Sequence, residues 1–311
     1  MDNSVSAETR FLHANQLGLG AWAWGDRVVW QYGRGYSLEN VREAFLTSLA
    51  EGIRLIDTAE VYGSGRSERL VGQFIKETGQ PVLVATKFFP LPWRLSRKSI
   101  VSALRASLNR LQIESVDLYQ IHMPSPLLSV EKMMEGMLEC VENGLTRTVG
   151  VSNFDQSSML RAYSTLARHN IPLAANQVHY SLLNRAVEKN GLLARCAELG
   201  IRLISYSPLE MGLLTGKYGP ENLPPGNRAL RYITVISKIA PLLKLMTEIG
   251  QDHGGKYSAQ VALNWTIRKG TLPIPGAKNA EQALQNAGAL GWELSDEEMA
   301  KLDAASDQIL A

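Results

Sequence analysis

Cysteine is scarce in this sequence, which holds only Cys140 and Cys196 among 311 residues. The two lie far apart, each in a segment predicted to be helical, so a disulfide scaffold and a cysteine-based metal site are both unsupported. No pair of histidines has the spacing of a zinc site. The sequence therefore predicts no metal centre.

An excess of charge of one sign is also missing, since 32 Lys and Arg residues stand against 30 Asp and Glu residues and leave a net charge of +2. This balance argues against the basic surface of a nucleic-acid-binding protein. No stretch approaches the roughly 18 continuous apolar residues that cross a bilayer, and residues 1–11 lack the apolar segment of a secretion signal. We expect a cytoplasmic protein without a nucleic-acid or membrane partner. Nothing in the sequence specifies an oligomeric state.

What the sequence does contain is an alternation of short apolar runs with longer amphipathic stretches. This pattern is typical of parallel strands joined by crossover helices and predicts the α/β class. The predicted strands are residues 17–22, 54–57, 82–87, 116–122, 148–153, 174–178, 202–207 and 272–276. The predicted helices between them include residues 37–51, 67–78, 96–110, 128–143, 157–169 and 187–199. Eight strands in units of roughly 25 to 35 residues predict one (β/α)8 TIM barrel, a single domain over residues 1–311.

Two segments interrupt this pattern. Residues 210–231, after the seventh strand, hold too many Gly and Pro residues for a regular helix, and a loop this long in a compact domain is usually functional. We expect it to cover a ligand. Residues 26–35, after the first strand, form a polar and aromatic insertion beside the same end of the barrel.

Active sites of such barrels gather at the carboxyl ends of the strands, and three charged or titratable residues stand there. Asp57, Lys87 and His122 end the second, third and fourth predicted strands. Each alone has an ordinary explanation: a capping Asp, a solvated Lys, a hydrogen-bonded structural His. Their convergence on one cavity favours a functional site over three unrelated accidents.

Tyr62 lies five residues beyond Asp57, in a loop that Gly63 and Gly65 make adaptable. Its phenol could reach Lys87, whose ammonium would stabilise phenolate and lower the tyrosine pKa from about 10. We expect a proton donor that is usable near neutral pH.

Together with their neighbours in the sequence, these residues resemble motifs of the aldo-keto reductase family. The motifs that carry the resemblance follow in the family's order and cover roughly residues 15–290. They are Gly52 to Gly63 with Ser67-Glu68, Ala85-Thr86-Lys87, Gln120-Ile121-His122, Gly150-Val151-Ser152-Asn153-Phe154, Asn176-Gln177, Ser205-Tyr206-Ser207-Pro208-Leu209, and Ile274 to Gln282. The branch that looks most similar contains bacterial reductases and potassium-channel beta subunits.

The resemblance implies NAD(P)H-dependent reduction of a small carbonyl substrate, an aldehyde or ketone, to an alcohol in a metal-free barrel. Tyr62 would be the general acid, and Lys87, paired with Asp57, would lower its pKa. His122 would hydrogen-bond the carbonyl oxygen and share stabilisation of its developing charge. The hydride would come from the coenzyme.

The resemblance also implies a set of coenzyme-binding residues. They are Ser152, Asn153 and Gln177 at the nicotinamide carboxamide, Tyr206 on its ring, Trp22 between nicotinamide and substrate, Ser207, Leu209, Gly212 and Lys217 along the pyrophosphate, Arg228 at the adenosine phosphate, and Gly276, Lys278, Gln282, Gln285 and Asn286 around the adenine ribose. Many family members carry Arg where Gln282 stands. NADPH is still expected to be preferred over NADH, with Lys278 and Arg228 supplying positive charge.

Other interpretations compete with this one. Residues 18–23 match a G-x-G-x-x-A dinucleotide fingerprint, with Glu39 near the acidic position, but the bulky Trp22 and Trp24 do not suit the required helix start, and we reject it. A redox-sensing subunit that binds NADP(H) with little turnover stays open, as does a lyase or isomerase on the same barrel.

The substrate pocket is expected to be an aromatic-lined, moderately apolar cleft. The residues predicted to line it are Trp22, Trp24, residues 26–35, Phe88, Phe89, Trp93 and the loop after the seventh strand. Phe88 and Phe89 could equally be packing residues.

Overall fold

A computed structural model describes residues 6–219, 221–223 and 235–310. Its eight strands pair in parallel, each with the next along the chain. They are β1 (Leu19–Gly20), β2 (Leu55–Asp57), β3 (Leu83–Phe88), β4 (Val116–Ile121), β5 (Thr146–Ser152), β6 (Leu173–His179), β7 (Arg202–Tyr206) and β8 (Leu272–Pro273).

Helices alternate with these strands. They are α1 (Arg10–Ala14), α2 (Leu38–Ala50), α3 (Arg66–Thr78), α4 (Arg97–Leu111), α5 (Val130–Glu142), α6 (Gln156–Ala167), α7 (Ala186–Lys189), α8 (Leu192–Glu198), α9 (Ala240–Asp252), α10 (Ser258–Arg268), α11 (Ala280–Ala287) and α12 (Asp296–Leu310). Backbone N–H groups of Gly18 and Gly20 donate to the carbonyls of Pro273 and Pro275, at 2.9 and 3.0 Å, and join the first strand to the last. The predicted α/β class and (β/α)8 barrel are confirmed.

Several boundaries differ from those predicted, and two of the differences have a clear cause in the backbone. The last strand is shorter than residues 272–276, because Pro273 and Pro275 have no backbone N–H to donate to a neighbouring strand. The helix predicted over residues 187–199 is divided into α7 and α8, since Gly191 between them has a φ of +78°. A left-handed residue breaks the helical hydrogen-bond pattern, and glycine adopts it without steric cost.

The barrel interior is filled by one layer of apolar side chains from the strands. Its members include Leu55, Ala85, Leu118, Ala175, Ile204 and Leu272. Because side chains alternate between faces along a strand, the residue two positions further on points to the same interior. For the first five members, those residues are Asp57, Lys87, Gln120, Gln177 and Tyr206, whereas the residue after Leu272 is the apolar Ile274. The fold therefore places one polar layer directly above one apolar layer.

The amino ends of the strands are closed by α1. Leu12 is fully buried in the interior cluster, with Phe11 packed against it. The guanidinium of Arg147, in β5, lies 4.7 Å from the centre of the Phe11 ring. Phe11 and Leu12 thus form an apolar plug at the amino ends of the strands.

The two segments that interrupt the pattern both follow carboxyl ends of strands. In the first, Asp26 Oδ1 accepts the backbone N–H groups of Val28, Val29 and Trp30 at 2.9, 2.7 and 3.2 Å, which forms a compact turn. In the second, residues 210–215 form a 3₁₀ segment that is interrupted by left-handed backbone at Met211 and Gly212, while residues 220 and 224–231 of this loop lie outside the described residues. Within the described ranges, the search for a helix long and apolar enough to cross a bilayer finds none.

Candidate active site

Lys87 is the centre of the polar layer at the barrel mouth. Its side chain is fully buried, and Nζ donates to Asp57 Oδ1 at 2.5 Å, to the Thr58 carbonyl at 2.8 Å and to Tyr62 Oη at 3.4 Å. An ammonium has three N–H donors, so these three acceptors use all of them. The arrangement fixes the lysine and directs one donor at the phenol.

The second oxygen of Asp57 is held by two buried amides. Gln177 Nε2 donates to Oδ2 at 2.8 Å and Gln120 Nε2 does so at 3.4 Å. The amide of Gln177 thus binds Asp57, besides the nicotinamide role that the resemblance implies. Gln120 was not singled out as a site residue from the sequence. Its position two residues after interior Leu118 and two before His122 was the available signal.

Burial and neighbouring charges together set the pKa values of Lys87 and Tyr62. Burial works to lower the pKa of Lys87, but Asp57 and Tyr62 outweigh it and the pKa is raised. Burial raises the pKa of Tyr62 more than Lys87 lowers it, so the net shift is upward. The expectation of a lowered tyrosine pKa is wrong in its direction, because it considered the lysine charge without desolvation. The phenol holds its proton at neutral pH, as a proton donor must.

His122 lies beside Tyr62, with ring centres 5.7 Å apart and planes at 85°, and Phe89 contacts its ring at 5.5 Å. Burial, assisted by the charge of Lys87, lowers the pKa of His122 to about 3. Its Nδ1 is buried without a hydrogen-bond partner among the described residues. The ring is therefore neutral at pH 7, and a neutral imidazole carries one N–H donor.

The loop that carries Tyr62 is fixed by contacts on both sides. Trp22 stacks on the Tyr62 ring with centres 6.0 Å apart and planes at 30°. Glu60 accepts the backbone N–H of Phe89 at 2.7 Å and Arg94 Nη1 at 2.5 Å, which ties this loop to the one after β3. Sequence reasoning missed Glu60, whose position in a loop gave no signal of burial.

Further predicted residues join this cluster through hydrogen bonds. The amide of Asn153 donates to the His122 carbonyl at 3.0 Å and to Ser152 Oγ at 3.1 Å, and Tyr206 Oη donates to Asn153 Oδ1 at 3.0 Å. Asn153 has a φ of +58°, which asparagine tolerates better than most residues. The ends of β4, β5 and β7 therefore present amide, hydroxyl and aromatic groups side by side.

The predicted residues after β8 form a second group. Gln282 Oε1 accepts the backbone N–H of Lys278 at 2.9 Å, Asn286 Nδ2 donates to the Gly276 carbonyl at 3.2 Å, and Gln285 Nε2 donates to Glu281 at 3.2 Å. The Gln282 amide thus stabilises the start of α11.

Lys278 connects this group with the insertion after β1. Its Nζ lies 4.5 and 4.6 Å from the ring centres of Trp30 and Tyr36, and Trp30 in turn meets Trp22 edge to face at 5.6 Å.

The predicted residues after β7 follow one another in the loop. Ser207 has a φ of +51°, Leu209 is half-buried, and Gly212 lies in the 3₁₀ segment. Lys217 is exposed, with Nζ 5.8 Å from the Tyr218 ring centre. Arg228 falls outside the described residues.

Two predicted pocket residues belong to the core instead. Trp24 and Phe88 are both 0% exposed, and Trp24 Nε1 donates to the Ala277 carbonyl at 2.8 Å. Phe89 contacts His122, and Trp93 is 75% exposed. Trp22 and Phe89 remain as aromatic groups in contact with the residues of the mouth.

Comparisons with known proteins find relatives over nearly the whole chain. The model of the Aldo/keto reductase family matches residues 16–307. The chloroplastic pyridoxal reductase of Arabidopsis thaliana is 42% identical over 96% of this chain and 84% of that protein. A Schizosaccharomyces pombe protein with a provisional name as a voltage-gated potassium channel subunit beta is 29% identical, over 94% of this chain and 92% of its own. The crystal structure of an aldo/keto reductase from Klebsiella pneumoniae, in complex with NADP and acetate, is 29% identical, covers 93% of this chain and 90% of its own, and has a TM-score of 0.73.

Proposed function

This chain belongs to the aldo/keto reductase family, and on that premise we propose that it reduces aldehydes or ketones to alcohols with NADPH. The observation that carries the proposal is the contact of one buried ammonium, Lys87, with both Asp57 and Tyr62, beside the ring of His122. These groups supply a proton donor, a device that stabilises its conjugate base, and a neutral hydrogen-bond donor.

Tyr62 delivers its proton to the carbonyl oxygen and becomes a phenolate. Lys87 stabilises that phenolate, and Asp57 keeps the ammonium in place, because its carboxylate is itself held by Gln177. His122 donates its N–H to the same oxygen as negative charge develops there. The coenzyme, when bound, supplies the hydride. One proton from Tyr62 and one hydride convert the carbonyl to an alcohol, and solvent returns the proton to Tyr62.

The side chains at the mouth of the barrel are of the kinds that bind a nicotinamide coenzyme. Ser152 and Asn153 offer hydroxyl and amide partners for a carboxamide, and the partly exposed Tyr206 offers an aromatic face. Lys217 and Lys278 stand beyond them with positive charge for phosphates. We infer a preference for NADPH from the positive charge of Lys278, which lies among the described residues. The Klebsiella pneumoniae relative was crystallised with NADP, which supports this inference.

We propose planar aromatic aldehydes as the substrate class. Trp22 stacks on Tyr62 and Phe89 meets the ring of His122 edge to face, and such surfaces bind flat rings. The plant relative is named for pyridoxal, a molecule of this kind. A cytoplasmic location stays a prediction.

Tyr62→Phe tests the mechanism, since it keeps the ring against Trp22 and removes only the hydroxyl. We expect the turnover of NADPH with a panel of aldehydes, pyridoxal and nitrobenzaldehyde among them, to fall by about 10²- to 10⁴-fold, the usual contribution of a general acid. NADPH absorbance is the measurement. Tyr163→Phe, on α6 and remote from the mouth, is the matched control.

The result separates the competing functions. Turnover that survives in Tyr62→Phe contradicts the assigned general acid. Tight NADPH binding without turnover across the panel favours the alternative of a redox-sensing subunit; one relative carries the name of a potassium channel subunit beta. A substrate converted with no change in nicotinamide absorbance would indicate a lyase or isomerase.

A further inference from the structure

A buried carboxylate at the start of the loop after β7 has no role in the mechanism above. Glu210 is 5% exposed, and its Oε1 lies 2.5 Å from His179 Nε2 and accepts the Ser181 hydroxyl at 2.6 Å. Asn184 Nδ2 lies 2.7 Å from His179 Nδ1, which makes Nδ1 the acceptor and leaves Nε2 to donate to Glu210. This network joins the end of β6 to the loop after β7.

The same histidine supports an aromatic ring at the mouth. His179 stacks on Tyr206 with ring centres 5.3 Å apart and planes at 12°. The hydroxyl of Tyr206 donates to Asn153, whose amide reaches the carbonyl of His122. Tyr206 is thus held by His179 through its ring and by Asn153 through its hydroxyl.

The backbone at this point is held in an unfavourable conformation. Glu210, Met211 and Gly212 have φ values of +48°, +52° and +101° in succession. Residues other than glycine avoid this region, and such backbone persists where surrounding contacts enforce it. The two hydrogen bonds that Glu210 accepts are contacts of that kind.

We propose that Glu210 and His179 are positioning residues for the coenzyme: Glu210 holds both the loop after β7 and the ring of His179, and His179 keeps Tyr206 as the platform for the nicotinamide. The proposal rests on the proposed function, in which Tyr206 stacks on that ring. Without the Glu210 carboxylate, the loop and the platform lose their shared anchor. The coenzyme then leaves faster, while the proton-transfer groups around Lys87 are untouched.

Glu210→Ala and Glu210→Gln test this in the full-length protein. We expect Glu210→Ala to raise the Kd for NADPH about tenfold, the order of effect for losing a hydrogen bond to a charged group. The measurement is fluorescence titration, with stopped-flow dissociation showing the change in the off-rate. Glu210→Gln keeps an acceptor oxygen and should recover most of the affinity. Single-turnover reduction at saturating NADPH should stay near the wild-type rate.

Glu188→Ala is the matched control. Glu188 is a partly buried carboxylate that accepts the Tyr180 hydroxyl at 2.6 Å and pairs with Arg185 and Lys269. It should lower the Tm and leave the Kd for NADPH unchanged. A Kd for Glu210→Ala within twofold of wild type overturns the proposal, and so does an equal rise in Glu188→Ala.

His179→Gln decides the matter if Glu210→Ala does not fold. Glutamine can still donate to Glu210 but has no ring to stack on Tyr206, so we expect the Kd for NADPH to rise several-fold. An unchanged Kd contradicts the platform role. Failure of the wild-type protein to bind NADPH refutes the proposed function itself, whereas wild-type binding with unaffected variants refutes only the roles of Glu210 and His179.

Discussion

The neutral histidine at the mouth makes the stability of this protein depend on pH. In an unfolded chain a histidine has a pKa near 6.5, whereas burial and the charge of Lys87 lower that of His122 to about 3 in the folded protein. Between these values the unfolded state binds one more proton, so stability rises with pH across this window and is lost on acidification.

The magnitude follows from the two pKa values. Each pH unit within the window is worth up to about 1.4 kcal/mol per proton, and the change from pH 7 to pH 5 amounts to about 2 kcal/mol from this residue. His122→Gln replaces the titrating ring by an uncharged amide of similar reach. We therefore expect the free energy of unfolding of wild type to fall by about 2 kcal/mol more than that of His122→Gln between pH 7 and pH 5.

Urea denaturation at pH 7, 6 and 5 measures this difference, because contributions of all other titrating groups are common to both proteins. His169→Gln, which removes an exposed imidazole at the end of α6, controls for the loss of an imidazole as such. Parallel losses of stability in wild type and His122→Gln would refute the reasoning. An NMR titration that shows His122 gaining a proton near pH 6.5 in the folded protein would refute it directly.

Two further predictions concern the ends of the barrel. Leu12→Ala should cost about 2 to 5 kcal/mol of unfolding free energy, because Leu12 is fully buried in the plug. It should leave kcat unchanged at temperatures where the protein is folded. Leu310→Ala, at a partly exposed leucine, is the control. Denaturation and activity assays together check it, and a loss of kcat in folded Leu12→Ala would contradict it. Lys278→Met removes the ammonium, which lies over the rings of Trp30 and Tyr36, and keeps an unbranched side chain, so we expect the Kd for NADPH to rise about tenfold with that for NADH unchanged. Equal shifts for both coenzymes in a titration would show that Lys278 does not bind the 2′-phosphate.

Much of the polar layer could be predicted from the sequence for a simple geometric reason. Parallel strands end at the same face of a barrel, and side chains two residues apart share one side of a strand. Asp57, Lys87 and His122 were therefore identified from strand ends alone. Gln120 obeys the same rule and pairs in register with Lys87, but it lies inside its strand, two residues before His122, where the sequence pattern is typical of core.

The partners of the loops were not accessible in this way. Glu60 and Glu210 look like ordinary loop carboxylates, and only the folded chain shows that each accepts donors from a neighbouring loop or strand. Phe88 follows Lys87 in β3 and alternation directs it into the core, whereas Trp24 lies in the turn after β1 and is buried with its indole N–H on the Ala277 carbonyl. Proximity in the sequence does not decide whether a side chain faces the site or the hydrophobic core.

The sequence by itself determined the order of strands and helices, the barrel and the identity of the groups at its mouth, because these follow from periodicity and from residue types. The tertiary structure alone decided the environment of those groups. The sequence placed Tyr62 near a lysine and suggested a lowered pKa, whereas the assembled site raises it, since the loss of water around the phenol outweighs the charge 3.4 Å away. Desolvation depends on every neighbour at once, and those neighbours are brought together only when the chain folds.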